Sequence, residues 1–205
     1  MQDMKPLYWY WFTNLPYIGK KTQQKLLDYF VTPKRVYHEF DENILRNIGI
    51  TSKGIESIRK RVDYKEIEEK IRNLKEKQIQ FITIDDDTYP KRLKNIFQPP
   101  YCLYVRGRLP VEEKKTIAIV GSRSCSEYGR SMATYFAKEL AKEGVQVVSG
   151  LARGVDSYAH RGALYEAGGT YAILGCGIDQ CYPMENFNLY SEIINTGGVI
   201  SEYNI

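Results

Sequence analysis

From residue 79 onward the apolar positions come in short runs, separated by segments with a helical period. IQFITI, residues 79–84, alternates as a strand, DDDTYPKRL is a turn, and YCLYVRG, after Pro99 and Pro100, is a second strand. TIAIV, VQVVSG, TYAILG and VISEY then alternate with the helical stretches SMATYFAKELAKEG, VDSYAHRGALYEAGG and FNLYSEIINTGG. The loop GCGIDQCYPMEN joins the third of these strands to the last helix. Strands and helices alternating at this spacing predict an α/β domain with a Rossmann-like, doubly wound, mostly parallel sheet. The runs lack polar alternation, which fits a sheet covered on both faces. SEYNI follows a strand directly, where such a domain normally continues, so the expectation is a sheet incomplete at its C-terminus.

The first 78 residues have a different rhythm. LPYIGKKTQQKLLDYF has a turn at Pro16 and Gly19 and then Leu26, Leu27 and Phe30 at helical spacing. Thr32 and Pro33 start another short helix, Asp41 caps ENILRNI, Gly49 ends it, and Thr51 or Ser52 caps the next. Asp63 precedes YKEIEEKIRNLKEKQ, whose Ile67, Ile71 and Leu74 share one face. The reading is two domains, a small all-α one over 1–78 and the α/β one over 79–205, with no internal repeat.

Composition narrows the function. With 205 residues, 43% hydrophobic, the chain is long enough for two packed cores. No apolar run approaches the ~20 residues of a membrane span, and MQDMKPLYWYWF lacks the aliphatic core of a signal peptide, so a cytoplasmic protein is expected. Cys102, Cys125, Cys176 and Cys181 are scattered and only two histidines accompany them, so reduced thiols are expected rather than a metal site. The net charge of +4 is uneven: residues 1–80 hold 16 Lys and Arg against 11 Asp and Glu, residues 81–205 hold 13 against 14. Nucleic-acid binding by the second domain therefore needs a local cluster rather than bulk charge.

Such a cluster is written into two loops. Parallel sheets bind ligands beyond the carboxyl ends of their strands. Arg123 lies just past TIAIV and Arg153 just past VVSG. Gly121, Ser122, Ser149, Gly150 and Gly154 allow close backbone approach, the following helices offer N–H groups to an anion, and each arginine adds a charged planar fork suited to phosphate. Neither GxGxxG nor GxxxxGK[ST] occurs, which disfavours a dinucleotide enzyme or a P-loop nucleotidase. His160 reads as a hydrogen-bonded structural residue, Asp156 as a capping carboxylate, and Asp179 as a group able to orient an arginine.

The segments FITIDDDTYPKRL, YCLYVRG, VGSR, SGLARGVD, AHRGAL, AILGCGIDQCYPMEN and GGVISEY resemble, in order and spacing, the DNA processing protein A (DprA, or Smf) family. The helical N-terminus resembles that family's sterile-alpha-motif or helix-hairpin-helix domain. The resemblance implies a non-catalytic single-stranded DNA-binding protein of natural transformation, which protects incoming DNA and helps load the RecA recombinase. It implies no cofactor, no metal and no membrane, and a homodimer through the Rossmann-like domain. By position the family's nucleic-acid site falls on Gly121, Ser122, Arg123, Ser149, Gly150, Arg153, Gly154 and Asn186, with Tyr128, Tyr158 or Tyr182 as stacking surfaces. Met184 stands where the family often has a basic residue, and the family's downstream FPxRNRIIxG segment is not in the sequence. LPYIGKK resembles half of a helix-hairpin-helix, with Lys20, Lys21 and Lys25 beside it; a packing or partner role is favoured there. Two alternatives stay open: a nucleotide-binding enzyme of the LOG-like phosphoribohydrolase type, whose PGGxGTxxE stretch does not occur, and a sensor of a small nucleotide.

Overall fold

The computed structural model describes residues 5–205, which divide into two compact units, the first ending at residue 83 and the second spanning 84–205. The division thus falls after residue 83, where the sequence reading set it after 78. Strand β1 (Gln80–Thr83) goes with the helices because Phe81 packs edge-on against Tyr10, ring centroids 5.5 Å apart.

The first unit is built from α1 (Lys5–Thr13), α2 (Lys20–Phe30), α3 (Pro33–Glu39), α4 (Glu42–Asn47), α5 (Ser52–Arg59) and α6 (Tyr64–Glu76). Its helix starts follow local chemistry. Thr32 Oγ1 accepts from Arg35 N at 3.2 Å, Asp41 Oδ1 from Asn43 N at 2.8 Å, and Thr51 Oγ1 from Gly54 N at 3.2 Å. Gly49, at φ +82°, ends α4 in a conformation that disfavours a side chain. Phe12, Leu26, Leu45, Ile58 and Leu74 fill the core. Helix α1 buries Tyr8, Trp9, Tyr10, Trp11 and Phe12 in succession, so it is enclosed on every side and shows no amphipathic stripe.

The second unit opens with a short helix, α7 (Lys91–Lys94), and continues with β2 (Cys102–Gly107), β3 (Thr116–Ala118), α8 (Glu127–Lys142), β4 (Gln146–Ser149), α9 (Val155–Ala163), β5 (Thr170–Gly177), a 3-10 turn at Met184–Asn186, α10 (Phe187–Thr196) and β6 (Gly198–Tyr203). Within this unit the strands lie in the order β2-β6-β5-β4-β3. β3, β4, β5 and β6 run parallel, and β2 pairs with β6 antiparallel, Val105 opposite Ile200. The mostly parallel, Rossmann-like sheet predicted from the alternation is present. The loops after β3, β4 and β5 consequently emerge side by side at one end of adjacent strands.

Helices α8 and α9 pack closely because both present small residues. Ala137, Ala141, Ala159 and Ala163 are buried together with Val147. At the crossing, a Cβ on Gly162 would collide with the Thr134 carbonyl, so glycine sets the helix separation there. Thr134 Oγ1 also donates to the Tyr158 carbonyl at 3.4 Å.

His160 is wholly buried in this layer. The Thr170 hydroxyl donates to the Val147 carbonyl at 3.0 Å, so the His160 Nδ1 proton is the one shared with Thr170 Oγ1 at 2.7 Å. It is a structural residue, as the sequence indicates. Desolvation pushes its pKa down from 6.5 to about 3, the Ser149 backbone pulling weakly the other way. The unfolded chain therefore takes up this proton as pH falls through 6.5, whereas the folded protein does so only near 3. The stability it confers is complete above the upper value and drains away as pH falls toward the lower. Thermal melts should accordingly show the melting temperature dropping between pH 7.5 and pH 5.5, and His160→Gln, though less stable at pH 7.5, should drop less over that interval. Equal pH slopes in the two proteins would contradict the assignment.

Candidate nucleic-acid interface

The two loops that carry the arginines are fastened to one carboxylate. Asp156, in the first turn of α9 and 6% exposed, accepts from Gly150 N through Oδ2 at 3.1 Å and from Gly121 N through Oδ1 at a longer 3.4 Å. Sequence reading took Asp156 as a helix cap; instead it ties the loop after β3 to the loop after β4. A second tie runs alongside it, from Val155 N to the Ser122 carbonyl at 3.2 Å.

The glycines are needed for this interlock. A Cβ on Gly121 would sit 2.8 Å from Val155 Cγ2, and one on Gly150 would sit 2.7 Å from Asp156 Oδ2. Gly154 has φ +74°, and a Cβ there would strike the Ser122 carbonyl. The glycines expected to allow close approach of a ligand serve the packing of the two loops, and the Gly121 and Gly150 amides are given to Asp156.

Two more predicted site residues point inward. Ser149 is buried and its hydroxyl donates to the Ile119 carbonyl at 2.6 Å. Asn186 is buried too, and its Nδ2 donates to the Leu151 carbonyl at 3.0 Å and the Ala152 carbonyl at 3.4 Å, which holds the loop that carries Arg153. That loop is shaped further by Leu151, at φ +58°. Ser122 Oγ accepts from Ser124 N at 3.2 Å and so shapes the turn that carries Arg123.

What faces solvent is arginine. Among the described residues the exposed Arg123 guanidinium makes no hydrogen bond or ion pair, and Arg153 Nε pairs with Glu185 Oε1 at 2.8 Å, both side chains of that pair more than half exposed. These two arginines border two adjoining clefts. One, of about 310 Å³, has Gly150, Leu174, Cys176, Tyr182 and Pro183 in its walls and is largely apolar. The other, of about 380 Å³, gathers Arg130, Tyr158 and Arg161 beside Arg123 and Arg153, with Glu185 as its carboxylate.

Arg130 and Arg161 were missed by sequence reading because they belong to helices rather than to the loops. The signal for them was the run of small residues on α8 and α9, which brings these two helices together. Of the tyrosines considered for stacking, Tyr182 is 68% exposed at the apolar cleft, whereas Tyr158 is half-buried with the Arg130 guanidinium 5.6 Å above its ring. Tyr128 is 74% exposed and, like Asp179, borders neither cleft. Met184, also exposed, brings no charge to the rim.

The arginines make the clefts cationic. Burial pushes the Cys176 thiol pKa up, aided by Asp179, and the Cys181 thiol likewise, aided by Cys176, so neither is disposed to be a thiolate nucleophile. Among the described residues no group of three His, Cys, Asp or Glu is placed to hold a metal ion, and no helix is long and apolar enough to cross a membrane. The cleft can bind an anion and give its neighbouring flat group an apolar wall.

Comparison with known proteins places these features in a family. Residues 80–205 match the family model of DNA recombination-mediator protein A. Protein Smf of Borreliella burgdorferi is 32% identical over 205 residues, an alignment covering 96% of this chain and 60% of that protein. The X-ray structure of DNA processing protein A from Streptococcus pneumoniae superposes with a TM-score of 0.75 at 28% identity, over 96% of this chain and 67% of that one. DNA processing protein A from Helicobacter pylori, whose structure was described for its single-stranded DNA binding mode, superposes with a TM-score of 0.55 at 33% identity, over 62% of this chain and 57% of that one. The chain spans between 33% and 60% of the lengths of the first curated relatives it matches.

The Asp156 tie is open to test. Asp156→Ala leaves two amides without their acceptor, at a cost of about 1–3 kcal/mol, and frees the two arginine loops from each other. We expect a lower melting temperature with unchanged secondary structure by circular dichroism, and faster amide exchange at Gly121 and Gly150 than at core amides of α8. Unaltered protection at both glycines would remove the tie from the account.

Proposed function

The chain belongs to the DNA recombination-mediator protein A family, and from that premise we propose that its second unit is a clamp for single-stranded DNA that works without a catalytic step. The observation that carries this reading is Arg123: an exposed guanidinium with no partner among the described residues, bordering both an apolar cleft and an arginine-rich one. A single strand offers both groups that this juxtaposition suits, a phosphate for the arginine and an unstacked base for the apolar walls. The Arg153–Glu185 pair is solvent-exposed and worth no more than about 1 kcal/mol, so a phosphate can displace the carboxylate at little cost.

The absence of a catalytic step is supported by how the titratable groups are spent. His160 is buried and bonded to Thr170, Asp156 is engaged by two amides, and burial raises the pKa of the Cys176 and Cys181 thiols. On the same reading the bound strand is protected and passed to the RecA recombinase in natural transformation, with two copies joining through their α/β units. The relative from Helicobacter pylori described for its single-stranded DNA binding lends its support to the first step only.

Fluorescence anisotropy with a labelled oligonucleotide tests the clamp. The double variant Arg123→Ala, Arg153→Ala should bind at least about tenfold more weakly, about 1.4 kcal/mol, with its melting temperature preserved because both side chains are exposed. Undiminished affinity in that variant would refute the assignment.

A further inference from the structure

The arginine-rich cleft holds more positive charge than one phosphate can use. Arg123, Arg130, Arg153 and Arg161 border it against the single carboxylate of Glu185, a formal excess of three positive charges in about 380 Å³. Among the described residues, Arg123 and Arg161 have no ion-pair partner, and the ion pair of Arg130 is with the exposed Glu127, at 3.5 Å. Like charges gathered in one concavity repel and focus a positive potential outward. A backbone phosphodiester offers two free oxygens, enough for one bidentate arginine or two single contacts, so four guanidiniums correspond to at least two phosphates.

The fold shows why the additional pair sits where it does. α8 and α9 touch at Thr134 and Gly162, where the missing Cβ lets the backbones meet. One helical turn toward each N-terminus lie Arg130 and Tyr158, and the close crossing brings the guanidinium over the ring at 5.6 Å. Tyr158 and Arg161 are three residues apart on α9 and so share a face with Gly154. The result is a second arginine pair on rigid helices, next to the loop pair of Arg123 and Arg153.

We infer that Arg130 and Arg161 form a second phosphate subsite, which takes the phosphate adjacent to the one held by Arg123 and Arg153. The inference rests on the single-stranded DNA reading and deepens it. The apolar cleft takes the base, the loop arginines take its phosphate, and the helix arginines hold the next phosphate along the strand. The minimal ligand is then a dinucleotide step carrying two phosphates rather than a mononucleotide.

The test measures affinity for a labelled oligothymidylate as a function of salt. Each phosphate contact on a single strand contributes about 0.7 to the slope of log K against log salt. Arg130→Ala with Arg161→Ala should reduce the slope by about that amount and weaken binding several-fold at fixed salt, while Arg130→Lys with Arg161→Lys should keep most of the slope. A 5′-phosphorylated thymidine dinucleotide should compete better than thymidine monophosphate against the unaltered protein and lose that advantage in the double alanine variant. If the alanine pair leaves slope and competition unchanged while Arg123→Ala weakens binding, the second subsite is wrong and the clamp stands. If Arg123→Ala is also without effect, the clamp itself fails and takes the second subsite with it.

Discussion

One buried carboxylate organises the binding end of this protein. Asp156 draws the amides of Gly121 and Gly150 to itself and so fixes the loop after β3 against the loop after β4. That tie demands small residues at both contacts, because a Cβ at either glycine would occupy the space taken by Val155 or by the carboxylate. It also decides what kind of binding the loops can do. With those two amides spent inside the protein, the cationic donors that reach solvent at these loops are the guanidiniums of Arg123 and Arg153. A rim that is rigid in its backbone and cationic in its side chains suits a ligand with a regular phosphate line and variable bases.

The sheet and the loop arginines were legible in the sequence because both depend on local pattern. Period-two and period-3.6 runs announce the strands and helices of the second unit, and parallel connectivity puts Arg123 and Arg153 at the same end of neighbouring strands. Ser149 and Asn186 were legible as belonging to this neighbourhood, but not in which direction they face. Their hydroxyl and amide groups are consumed by the Ile119, Leu151 and Ala152 carbonyls, partners fixed only by folding. Arg130 and Arg161 required knowing that α8 and α9 touch at Gly162, a fact carried by small residues on two helices and by no single motif. Helix α1 escaped for the opposite reason: five consecutive buried residues leave no polar face to mark a helical period.

The helical unit follows its own logic. Its caps at Thr32, Asp41 and Thr51 form as local chemistry dictates, and α1 brings it a run of buried aromatics, where the contact of α8 with α9 in the second unit is built from alanines. Lys21 and Lys25 stand exposed on α2, while the arginine concentration lies in the second unit. Charge counted along the sequence favours the first half as a nucleic-acid binder; charge placed by the fold favours the second. The difference is one of local density, since four arginines converging on one cleft outweigh a larger number spread over solvated helix faces.

The most direct test is to let a bound strand mark its own path. An oligonucleotide containing 4-thiothymidine, irradiated on the protein and followed by peptide mapping, should attach within residues 121–130, 150–161, 174–176 and 182–186, the stretches that border the two clefts. Attachment confined to the helical unit, or to the α/β unit away from those stretches, would contradict the account.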